Sequence, residues 1–380
     1  MRKKLFLVSV IILLMFPAFS SDVLSGNISS QEELAEVNPD FMISPEKAFD
    51  WHVKKDKWTP AYSGTQSWHN FMEFVENKLE GYGVVDIAKN KWSYDHWSTS
   101  EWPDDSNWEL VSDGENIKVA SYGAYSGSTD ENGITAELVY YDPTDPPDSI
   151  EDKIVVYETK PYPEKPYPKS FLLFCTMNDY EYCTDSETFP ELFTPVPVNE
   201  SISYNVWWQL RQTQKLNKLL VKGNAAGGVI IFDASYERLA GLYTFPVPKR
   251  YNVPNLYLAR DAGAKVKQDA IKGKKATLKL VADVEEVETY QLIGYLPGKN
   301  YGTPDDEQII LVTHTDGCSI SQENGALGIL GIIHYFSNFP QKERPKTLMV
   351  FLDNRHYMPG MEHAFADEDF FALHPEAWDT

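Results

Sequence analysis

The chain has 380 residues, enough for two domains, with an ordinary globular balance of 42% hydrophobic and 24% charged residues. Its formal net charge is −22, which argues against nucleic acid and anionic membranes as partners. The same charge would also keep an exported protein soluble. Residues 1–20 are organised as a signal peptide: basic Arg2-Lys3-Lys4, an apolar run from Leu5 to Phe16, and the small-x-small sequence Ala18-Phe19-Ser20. That run is shorter than the roughly 20 residues a membrane span needs, and no later segment is longer. The pattern predicts a secreted or periplasmic protein with no stable membrane span in the mature chain. Of three cysteines, Cys175 and Cys183 are near enough in sequence to pair in an oxidising compartment, which leaves Cys318 over.

In chain order, residues 21–60 form a mixed polar and aromatic lead-in. An amphipathic helix follows from Thr65 to Leu79, with Trp68, Phe71, Met72, Val75 and Leu79 on one face and Gly81 and Gly83 ending it. Val84 to Ile87 reads as a strand. Trp92, Trp97, Trp102 and Trp108 crowd the next stretch and suit local core packing better than a substrate cleft. Between residues 130 and 285 the character changes to short strand-like runs with turn signals between them, such as Thr135 to Tyr141 and Lys153 to Tyr157. Lys160 to Lys169, rich in Pro and Tyr, reads as an extended loop. A helix from Val206 to Val221 ends at Gly223. A glycine turn then leads into a buried strand reaching Phe232, followed by a strand at Val253 to Leu258. Asp261 opens a helix ending near Gly273, and Ala276 to Val281 is a further strand. The glycine turn precedes a strand and not a helix, so it is no phosphate loop.

The chemistry concentrates between Ile309 and Phe365. Ile309 to Val312 predicts a buried strand that ends in His314, Thr315 and Asp316. Glu323-Asn324-Gly325 opens a helix carrying Ala326, Leu327, Ile329, Leu330, Ile332, Ile333 and Phe336 at helical spacing. Leu348 to Leu352 is a second apolar strand, ending in Asp353. Ligand sites in open parallel sheets lie outside the carboxyl ends of the strands, where both polar clusters fall. His314, Glu323 and His356 together make two imidazoles and a carboxylate, a recurrent catalytic zinc shell with room for water. Asp316 is placed to hold the second ring nitrogen of His314.

His314-Thr315-Asp316, Glu323-Asn324-Gly325 and Phe351-Leu352-Asp353-Asn354-Arg355-His356 resemble the three motifs of the co-catalytic zinc aminopeptidases, the superfamily that also holds glutamate carboxypeptidase and the transferrin receptor. The stretch from residue 130 to 285 resembles the protease-associated domain commonly inserted in those enzymes, through its glycine turn, Val253-Pro254 and Gly273. Gln291 to Gly298 resembles the strand that precedes the His-x-Asp strand. The resemblance implies an α/β fold with a zinc-exopeptidase-like, mostly parallel sheet flanked by helices and a β-rich insert. The implied segments are a signal peptide at 1–20, peptidase-like parts at 21–125 and 289–380, and a protease-associated domain at 126–288. It further implies one or two zinc ions, a peptide or small acylated substrate, and two further ligands well beyond the third motif that are not seen before Thr380, so that either the chain is a fragment or the site is incomplete.

The third motif is altered. Where the family has its general-base glutamate stands Arg355, and a guanidinium does not give up its proton in proteins. The next position, a metal-binding glutamate in the family, is His356. A hydrolase on this scaffold would need a substitute carboxylate, for which Glu362 is the candidate, with Asp316 and Arg355 completing the reactive set. The alternative is a binding protein without catalysis on the same scaffold.

Overall fold

The computed structural model describes residues 37–160, 203–242, 251–318 and 324–356. All of these but Val37 and Asn38 fall in one compact unit, Pro39–Pro163 with Ser203–Thr380. The expected signal sequence at 1–20, Cys175, Cys183, most of the Pro-rich loop, Glu323 and Glu362 lie outside the described residues. No helix among the described residues is long and apolar enough to cross a membrane.

From residue 37 on, the lead-in carries a helix. Helix α1 spans Pro45–Asp56, capped by the Ser44 hydroxyl, which accepts from the Lys47 N–H, and opened by proline at its first position. Helix α2 spans Gln66–Gly81 and is capped by Thr65, which accepts from the Trp68 N–H. Its predicted apolar face is buried as expected. Strand β1 runs from Val85 to Ser98, 14 residues in place of the four predicted. Its partner β10, Asp283–Leu296, is equally long, and their antiparallel pairing carries the alternating polar residues of β1. Trp97 and Trp108 are core residues as expected, but Trp102 is exposed and Trp92 only half-buried.

Two sheets result. The first has four strands in the order β1-β10-β12-β11, where β11 is Gln308–His314 and β12 is Thr347–Asp353. β11 and β12 are parallel; the other two pairings are antiparallel. The fold is α/β, and this sheet is mixed among the described residues. Its parallel pair arises because helix α5, Gly325–Ser337, connects the two strands. Leu292, Leu348, Val350 and Leu352 meet the inner faces of α2 and α5 in one core, with Trp68, Phe71, Leu327, Leu330 and Ile333. Ile293, Tyr295, Met349 and Phe351 pack on the opposite face.

One expectation is overturned here. Ile309, Ile310 and Val312 are 46%, 44% and 41% exposed. The β-branched run does make a strand, but β11 stands at the sheet edge, with β12 on one side only among the described residues. A continuous apolar run does not distinguish a central strand from an edge one.

The second sheet has eight strands in the order β3-β2-β9-β5-β6-β7-β8-β4. β2 is Trp108–Ser112, β3 Glu115–Ile117, β4 Ser121–Tyr122, β5 Ile134–Tyr140, β6 Ile154–Glu158, β7 Gly227–Ile231, β8 Asn255–Leu258 and β9 Lys275–Leu280. β5 to β8 are mutually parallel, and helices α3, Ser203–Lys222, and α4, Arg260–Ile271, pack against this run. The helices and strands predicted between residues 130 and 285 are present within a few residues. The sheet also takes β2, β3 and β4 from residues 108–122, through the β2–β9 and β4–β8 pairings.

Candidate functional site

The carboxyl ends of β11 and β12 lie side by side, because the parallel register sets His314 opposite Asp353. Immediately beyond them, the imidazoles of His314 and His356 face each other with centroids 3.9 Å apart and planes at 40°. Strand topology therefore unites two histidines that are 42 positions apart in the sequence. The helix end of the unit is drawn equally close. A β-carbon on Gly325 would lie 2.0 Å from Thr313 Oγ1, so only glycine lets α5 start against the end of β11.

His314 Nδ1 lies 2.9 Å from the backbone carbonyl of Asp316. A carbonyl only accepts, so Nδ1 carries the proton and Nε2 keeps the lone pair. Burial pulls the His314 imidazole below its ordinary value, partly offset by that hydrogen bond. Burial, and then the neighbouring His314, pull His356 down to about 3. Both rings are neutral at physiological pH, the form in which imidazole binds a metal.

Asp316 does not take the role expected of its carboxylate. It is fully buried, and both of its oxygens accept from the His356 backbone N–H, each at 3.0 Å. Its main chain orients His314 while its side chain fixes the backbone of His356, so one residue registers both histidines.

Arg355, which the sequence resemblance leads one to expect in place of a base, is held on two sides. Its Nε lies 3.3 Å from Asp353 Oδ1, and its guanidinium carbon sits 5.1 Å above the Trp92 ring. Asp353 Oδ1 also accepts from Gln291 Nε2 at 3.1 Å and from the Asn354 N–H at 2.8 Å. Burial pushes the Asp353 carboxyl up, opposed first by the adjacent guanidinium. Trp92 and Gln291 are site residues that the sequence reading did not assign. Only the aromatic crowding at residues 92–108 hinted at Trp92, and Gln291 stood out only as the start of a strand.

The donor chemistry fits a divalent cation as far as two neutral imidazoles go. Glu323, the expected carboxylate ligand, and Glu362, the expected substitute base, lie outside the described residues. Among the described residues no group of three or more His, Cys, Asp or Glu side chains is arranged to hold a metal. Cys318, one residue past Gly317, is half-buried.

No family model and no curated protein matches the sequence. Among solved structures, the chain is similar to an aminopeptidase from Aneurinibacillus sp. strain AM-1, with 13% identity over 81% of this chain and 62% of that one and a TM-score of 0.47. It is similar to BSAP, a zinc aminopeptidase from Bacillus subtilis, with 13% identity over 81% and 61% of the two chains and a TM-score of 0.48. A Peptidase M28 precursor from Shewanella amazonensis SB2B has 15% identity over 87% and 71%, with a TM-score of 0.49. The chain spans about three-fifths of the length of the first two.

Proposed function

We propose that this protein is an exported, zinc-binding metallopeptidase-like hydrolase of aminopeptidase type whose site lacks the usual general-base glutamate. The observation that carries the reading is the pair of neutral imidazoles, His314 and His356, at the carboxyl ends of adjacent parallel strands. In this reading His314 and His356 hold zinc together with Glu323, and peptides or small acylated compounds are the substrates. A zinc ion there would polarise a carbonyl and lower the pKa of bound water. The remaining chemistry belongs to the chain. His314 presents Nε2 because Asp316 holds Nδ1. Asp316 fixes the His356 loop. Arg355, held by Asp353 over Trp92, supplies a positive charge suited to an anionic substrate group. Glu362 is the proposed proton acceptor. The segment 126–288 is proposed as a protease-associated insert, and residues 1–20 as the export signal.

A second reading has a specific observation behind it. A fixed guanidinium where hydrolysis calls for a base suits a protein that binds peptides or carboxylates without cleaving them. The test assays wild type and Arg355→Glu side by side with zinc on aminoacyl-anilide substrates. A base of this kind contributes roughly 10²–10⁴ in rate. Little turnover by wild type and a gain in Arg355→Glu supports the lost-base reading. Robust wild-type turnover that Arg355→Glu abolishes defeats it, and no turnover in either puts the binding reading ahead. Zinc stoichiometry should fall in His314→Ala and in His356→Ala. Retention of wild-type metal by both would remove the site.

A further inference from the structure

We infer that residues 61–68, a short strap and the first turn of α2, position the two histidines, and that Trp68 and Ser63 are positioning residues, Trp68 acting through Thr315 and Ser63 through Thr289 and Asn354. The inference rests on the His314–His356 pair of the proposed site. The strap is tied to the loop after β11 in two ways. Ala61 exchanges both backbone hydrogen bonds with Gly317, each 3.1 Å. The Trp68 indole N–H donates to Thr315 Oγ1 at 3.0 Å. That hydroxyl in turn donates to the Asp353 carbonyl at 2.9 Å, beside the Thr315 N–H bond to the same carbonyl at 2.8 Å. Thr315 separates His314 from Asp316, so this chain fixes the segment whose Asp316 carbonyl orients the His314 ring.

The strap reaches the loop after β12 by a second route. Ser63 Oγ is 2.7 Å from Thr289 Oγ1 on β10, and Asn354 Nδ2 donates to Thr289 Oγ1 at 2.5 Å. Asn354 lies two residues before His356. The Tyr94 hydroxyl donates to the Ser63 carbonyl at 2.6 Å and holds the strap from β1. Trp68, Thr315, Ser63, Thr289 and Asn354 are all fully buried, where a hydrogen bond is electrostatically stronger and a missing partner costs most. Glycine is required at the bend. Gly64 has φ +78°, and a β-carbon there would lie 2.6 Å from Val287 Cγ2.

The geometry makes two demands that bulk packing does not. The hydroxyl of Thr315 is needed, rather than its volume. Trp68 and Thr315 share one route, so their effects should not add. The experiment uses the full chain labelled at histidine. It reads the proton cross-relaxation between the His314 and His356 rings without metal, and the affinity for zinc alone. Trp68→Phe, Thr315→Val and Ser63→Ala should each weaken the ring-to-ring signal and weaken zinc binding about tenfold or more, as for other outer partners of metal ligands. Thr315→Ser should restore both. The double variant Trp68→Phe/Thr315→Val should be little worse than either single. Wild-type ring signals in folded Thr315→Val and Ser63→Ala, or equal damage by Thr315→Ser and Thr315→Val, overturns the inference. So does a wild type without the ring signal. If wild type shows the ring signal and binds no zinc, the metal reading fails while the strap is still judged on the ring signal.

Discussion

At His356 burial removes a charge, and this has a consequence for acid stability. The folded imidazole is pulled to about 3, against an ordinary value of 6.5. Between these values the unfolded chain binds a proton that the folded chain does not, so stability rises with pH across that window. The contribution is complete above about pH 6.5 and is lost as pH falls toward 3. His314, also lowered by burial, works in the same direction. Urea midpoints for the metal-free chain should therefore fall between pH 7.5 and pH 5, and the fall should be shallower in His356→Gln. Equal slopes for wild type and variant would show that the buried imidazole does not contribute to acid sensitivity. Arg355 shows the opposite economy. It stays mostly covered between Asp353 and Trp92 rather than reaching into water, which makes its charge a fixed feature of the site.

Among the elements, β11 and β12 carry similar apolar sequences but occupy different surroundings. Val350 on β12 is fully buried between α2, α5 and the neighbouring strands, whereas Val312 on β11 is at the edge. The isosteric change to threonine separates the two. Val350→Thr buries a hydroxyl with little to bond and should cost about 1–3 kcal/mol. Val312→Thr leaves its hydroxyl near water and should stay within about 0.5 kcal/mol. Chemical denaturation of both variants measures the difference, and equal costs would contradict the edge placement. Exposed apolar edges also invite pairing with other chains.

For the molecule as a whole, the eight-stranded sheet decides where a separable piece would begin. β2 pairs with β9 and places Trp108 and Leu110 in the same core as Leu138, Val229 and Leu278. β4 pairs with β8. A fragment limited to residues 126–288, the proposed insert, would lose both contributions. A fragment of residues 106–282 should unfold in one cooperative thermal transition, and residues 126–288 should melt lower or stay unfolded. Equal melting would place β2 to β4 outside the stable unit.

The sequence by itself determined most of the local architecture. The 3.6-residue apolar spacing of Trp68 to Leu79 and of Ala326 to Ile333 located α2 and α5, because each helix buries one stripe. The runs ending at His314 and Asp353 located the two strands and put the histidines at their carboxyl ends. Tertiary structure decided whether a run is central or edge, since the neighbouring strand is supplied by distant residues. It decided that Asp316 works through its carbonyl on one histidine and its carboxylate on the next loop. It also made Trp92, Gln291 and the 61–68 strap part of the site. Ser63 meets Thr289 across 226 positions and Trp68 meets Thr315 across 247. No local pattern encodes such pairings, because a buried hydroxyl finds its partner only after the sheets have brought the backbones together.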